Sequence, residues 1–184
     1  MVHRRGTSRA GRATTLDDLA VTSSPDHVEA ARATSDAFRK AGIRHVLVGG
    51  MAVGMSGYPR FTRDVDFLVG DEAFEFHGPI VMPKPGLPVR YAGVTIDWVS
   101  LDGRERSVFE KFLVVPAEGE VPVMPVVPLV AMKLLAGRQK DQADIVELLK
   151  SGVDYLEVKM FLSDHFPNKR VLFAHLLRLS KTED

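Results

Sequence analysis

The chain has 184 residues, 45% of them hydrophobic and 26% charged, enough to bury a core without covalent staples. Lysine plus arginine and aspartate plus glutamate stand at 24 each, so no global field draws nucleic acid and such a partner requires a local basic patch. Cysteine is absent, which excludes disulfides and thiolate metal sites and fits a reducing, cytoplasmic setting.

The opening "MVHRRGTSRAGRATT" is basic and lacks a following secretory apolar stretch. Residues 1–23 are expected to be a disordered basic tail, with an RNA-binding arm as the alternative. "SSPDHVEAARATSDAFRKAGI" predicts a helix: Ser24 suits an N-cap, Pro25 the first turn, Asp26 and Glu29 the positive end of the dipole, and Gly42 the stop. Val28, Ala31 and Phe38 share one face of it. "RHVLVGG" predicts a buried strand over 46–48, and "MAVGMSG" a helix opening at the glycines. "DVDFLVG" predicts a second strand.

From Gly78 to Pro88 the prolines predict a loop or an edge. "RYAGVTIDWVSL" predicts one or two strands around Ala92-Gly93, and "SVFEKFLVV" a short helix or loop leading into a strand. "VPVMPVVPLVAMKLLAGRQKDQADIVELLKSG" predicts a strand, a turn and two helices, the first starting near Pro128. Asp154 to Ser180 is expected to be mostly helical. No apolar run reaches the roughly 18 residues of a membrane helix, so no membrane is expected as a partner. The expected fold class is α+β: a small mixed sheet flanked by helices, with a helical C-terminal lobe.

The chemistry concentrates in the second strand. Asp64 and Asp66 stand two apart, so both side chains project to one face. Adjacent ionised carboxylates repel and are costly to bury, and a hard divalent cation compensates them well. Mg²⁺ is the expected ion and Mn²⁺ its substitute. Asp97, embedded in "GVTIDWVS", is the best third acid, and Asp102 is the fallback. Three aspartates from two strands can hold two metals for in-line phosphoryl transfer. Gly49-Gly50 after a strand lets backbone approach a phosphate, and amides at a following helix start can donate to it. Near a triphosphate, Arg60 and Arg63 offer charge and Thr62 a hydroxyl donor; the plainer reading is a solvated cluster. Arg138, Lys140, Asp141 and Asp144 are expected to form an ion-pair network between helices. Trp98 is expected in the core, with base stacking as the alternative.

Val48-Gly49-Gly50 followed by Asp64-Val65-Asp66-Phe67 resembles the nucleotidyltransferase superfamily in its minimal, polymerase-β-like form. "RFTRDVDF" is similar to the Arg-x-Thr-x-Asp-apolar-Asp version of stand-alone bacterial members, many of which are toxins of toxin–antitoxin pairs. "PLVAMKLLAGRQKDQADIVELL" resembles the lysine-bearing helix of the same proteins. The resemblance implies a catalytic core over 24–126 and a helical lobe over 127–184. It implies that Gly49 and Gly50 cradle a triphosphate, that Asp64 and Asp66 bind metal, and that Asp97 binds metal or acts as general base. It also implies that Lys133 points at the phosphates; the plainer alternative is a snorkelling lysine, although "LVAMKLL" is apolar almost all round and the ammonium needs a reason. The expected activity is Mg²⁺-dependent transfer of a nucleoside monophosphate to a hydroxyl on tRNA, a protein or a small molecule, with an antitoxin as a further partner. The alternatives are a non-catalytic nucleotide- or partner-binding protein and a Mg²⁺-dependent nuclease.

Overall fold

A computed structural model describes residues 24–182. The basic tail expected over 1–23 lies outside the described residues. Helix α1 (Pro25–Lys40) turns Val28, Ala31, Ser35 and Phe38 inward. Ser24 has the extended backbone of an N-cap, but its hydroxyl bonds to His27 Nδ1 at 2.6 Å instead of to a helix amide. Gly42 ends the turn at φ 70°.

Strand β1 (His45–Leu47) leads into helix α2 (Gly49–Met55), with Val48 as the extended residue between them. Strand β2 (Asp64–Val69) follows. The proline-rich region is a hairpin, β3 (Phe74–His77) and β4 (Ile80–Pro83), forming a separate two-stranded sheet. Its turn pairs Gly78, at φ 63°, with Pro79, whose ring holds φ negative, the sign pattern of a type II′ turn. Strands β5 (Arg90–Tyr91) and β6 (Val94–Val99) form a second hairpin through Ala92 and Gly93, both at positive φ.

The main sheet has the order β1-β2-β6-β5. β1 runs antiparallel to β2, β2 parallel to β6, and β6 antiparallel to β5. Helix α3 (Gly103–Phe109) follows. The strands expected near Val114 and Val123 are reduced to single bridges onto β1. Pro116, Pro122 and Pro125 remove the amides that longer ladders need. The remainder is helical: α4 (Val126–Ala136), α5 (Gln139–Lys150), α6 (Tyr155–His165) and α7 (Arg170–Leu179). The architecture is therefore α+β, as the sequence predicts. No described helix is long and apolar enough to cross a membrane.

Alternation along the strands splits the apolar residues into two cores. Val65, Phe67, Val69, Val94 and Ile96 face α1. Val46 and Leu68 face the other way, into a core shared with Leu129, Leu134, Ile145, Leu162 and Phe173 of the C-terminal helices. Trp98 packs edge-on against Phe38 and Phe74 and donates to the Pro88 carbonyl at 3.0 Å, so it belongs to the α1 side. The positions of β2 and β6 that face away from α1, among them Asp64, Asp66 and Asp97, therefore share the face that the C-terminal helices flank.

Candidate active site

Parallel pairing sets Asp66 directly opposite Asp97 and Asp64 opposite Thr95. The three carboxylates meet: one oxygen from each of Asp64, Asp66 and Asp97 lies within 4.8 Å of the others. Asp102 sits at the N-cap of α3 and is not in the cluster. Asp64 and Asp66 are partly buried, and Asp97 is exposed.

The cluster is electrostatically under-compensated. Burial, then the charges of Asp64 and Asp97, push the Asp66 carboxyl from its ordinary 3.8 up to about 6, against an opposing bond from the Gly50 amide. Burial and the neighbouring like charges disfavour its ionised form, and added positive charge would favour it. Three carboxylate oxygens this close together could hold a metal ion. The residues present fit a divalent ion, and Asp64, Asp66 and Asp97 would hold it.

The glycines serve this site sterically. Gly49 has φ 65°, and a β-carbon on it would lie 1.8 Å from Asp66 Oδ2. A β-carbon on Gly50 would lie 2.7 Å from Thr62 Oγ1. Both positions exclude a side chain because the acidic strand and the segment before it press against the turn. Thr62 itself donates toward Asp64, with Oγ1 at 3.0 Å from Oδ1 and 3.2 Å from the Asp64 carbonyl.

Beside the triad lies a cavity of about 230 Å³ between the sheet and α4. Gly49, Asp66, Glu105, Met132, Lys133 and Arg138 are among its lining residues. Lys133 is buried, and its Nζ donates to Asp144 at 2.6 Å and Asp141 at 3.1 Å. Arg60 grips the same Asp144 with two bonds of 2.6 and 2.8 Å, and Arg138 holds Asp141 at 2.6 Å. Burial would raise the Asp141 carboxyl, but bonds from Arg138 and the Lys133 charge hold it below its ordinary value. The network expected from the sequence is present, with two changes. Lys133 and Arg60 join it, while Lys140 does not.

Lys140 is exposed, makes no ion pair among the described residues, and lowers the Asp66 carboxyl through its charge. Arg63 is likewise exposed and unpaired among the described residues. Two residues escaped sequence reasoning. Glu105 lines the cavity from α3, whose first turn lies before the stretch from Ser107 read as a helix or loop. Lys140 was assigned to the wrong neighbours because helical spacing does not show which way α5 faces. No family model matches the chain, and no curated protein matches it.

Proposed function

We propose that the chain is a Mg²⁺-dependent nucleotidyltransferase that moves a nucleoside monophosphate from a nucleoside triphosphate to an acceptor hydroxyl. The carrying observation is the convergence of Asp64, Asp66 and Asp97 within 4.8 Å on two parallel strands. Bound Mg²⁺ supplies charge neutralisation for the reacting phosphates. Asp97, the exposed acid, is placed to take the proton of an approaching hydroxyl. The acceptor oxygen bonds to the α-phosphorus, the bond to pyrophosphate breaks, and the acceptor proton passes to Asp97. Lys140, exposed and without an ion pair among the described residues, acts through its charge on Asp66 and offers positive charge to a triphosphate there. Lys133 and Arg138 line the adjoining cavity, and their carboxylate partners keep the buried charge balanced.

The test is incubation with labelled nucleoside triphosphates, Mg²⁺ and total tRNA or lysate. Transfer of label by wild type and its loss in Asp64→Ala is expected. The same labelling pattern from both refutes the assignment. The resemblance to stand-alone bacterial members supports a toxin role within this reading, and expression toxicity relieved by Asp64→Ala tests it.

A further inference from the structure

The Asp64 carboxylate accepts a hydrogen bond from one described group, the Thr62 hydroxyl at 3.0 Å. A hydroxyl has a single proton, and an ionised carboxylate competes for it better than the Asp64 carbonyl at 3.2 Å. Thr62 is held in turn. Its Cβ packs so closely over Gly50 that a β-carbon there would lie 2.8 Å from it. Two residues earlier, Arg60 is clamped by Asp144 of α5, and its Nη1 donates to the Phe61 carbonyl at 3.0 Å. Arg60 thus ties the segment before β2 to a helix far away in sequence. The exposed Phe61 lies between the two held residues.

We propose that residues 60–62 form a strap that sets the Asp64 carboxylate toward Asp66 and Asp97, with Thr62 as the positioning residue and the Arg60–Asp144 clamp as its anchor. This rests on the metal-binding reading of the triad. It assigns Thr62 and Arg60 a task different from the phosphate contacts the sequence suggests. Groups that orient ligating carboxylates change metal affinity by about 10- to 100-fold when removed. The strap also gives the C-terminal helices a route to the metal site that passes through no ligand.

The test is Mn²⁺ titration of the full chain without nucleotide, reading free Mn²⁺ by electron paramagnetic resonance, with thermal melts to establish that each variant folds. Thr62→Val keeps the shape and removes the proton; it is expected to weaken Mn²⁺ binding about 10-fold. Thr62→Ser keeps the donor and is expected to bind like wild type. Arg60→Lys, which exchanges a bidentate fork for a point charge, is expected to weaken binding in the same direction as Thr62→Val. Equal Mn²⁺ affinity in wild type and Thr62→Val overturns the proposal, as does a Thr62→Ser variant as weak as Thr62→Val. A wild type that binds no Mn²⁺ overturns the metal-centre reading itself, so the two failures are distinguishable.

Discussion

Replacing Asp66 by Asn should stabilise the metal-free protein while abolishing the proposed nucleotidyl transfer. The Asp66 carboxyl titrates at about 6 in the fold against an ordinary 3.8. A group whose folded value is raised contributes stability below its unfolded value and loses it as pH rises through the folded value. The loss therefore develops between about pH 4 and pH 6 and is complete at neutrality. The gap, at about 1.4 kcal/mol per pH unit, corresponds to about 3 kcal/mol held in the unmetallated site. Asn removes that charge, retains an acceptor for the Gly50 amide, and adds donors toward Asp64 and Asp97. At pH 7.5 in EDTA, the melting temperature of Asp66→Asn should exceed that of wild type by several degrees, at about 2–4 °C per kcal/mol for a chain of this size. At pH 4 the two should melt together, and saturating Mg²⁺ should raise wild type alone. An Asp66→Asn variant no more stable than wild type at pH 7.5, or equally more stable at pH 4, refutes the electrostatic reasoning.

Gly49→Ala places a β-carbon against Asp66 at a left-handed backbone position. It should cost about 2 kcal/mol or more in denaturant unfolding and displace Asp66 enough to weaken Mn²⁺ binding. Asp144→Ala strips a buried carboxylate from both Lys133 and Arg60 and should destabilise by about 3–5 kcal/mol, read from the midpoint in urea. Lys140→Ala should raise the KM for the nucleoside triphosphate while leaving the melting temperature unchanged, because Lys140 is exposed and unpaired among the described residues. His45 is buried between Ser35 and Ile43, and burial lowers its pKa below 6.5. By NMR it should therefore titrate below an ordinary histidine, and its stabilising contribution should fade as pH drops below the unfolded value.

Much of the architecture was legible along the chain because its signals are local. The start of α1 at Pro25, the break at Gly49-Gly50, and the helix expected near Pro128, which begins at Val126, each follow from backbone restrictions acting over a few residues. The two-residue spacing of Asp64 and Asp66 placed them on one face for the same reason. The third acid could only be narrowed to Asp97 or Asp102. Where local signals conflicted the reading was coarser. Alternating prolines and valines between 113 and 125 suggested strands, but the missing amides leave only single bridges.

Only the tertiary structure decided what each polar group faces. The parallel register that sets Asp66 opposite Asp97 rather than leaving the choice with Asp102 is a long-range pairing, invisible to spacing. Thr62 and Arg60 looked like phosphate contacts because their neighbours in sequence are the acids. In the fold, Thr62 turns back to Asp64, and Arg60 reaches across to Asp144 on α5. Lys133 and Lys140 lie on consecutive helices, the first in an apolar run and the second in a polar one. The packing of α4 against the sheet buries the first among two carboxylates, and the orientation of α5 leaves the second in solvent beside the triad. Sequence determines which residues can carry charge and how neighbours share a face. Burial and partner geometry, set by contacts between distant segments, determine which of those charges are compensated within the fold and which are not.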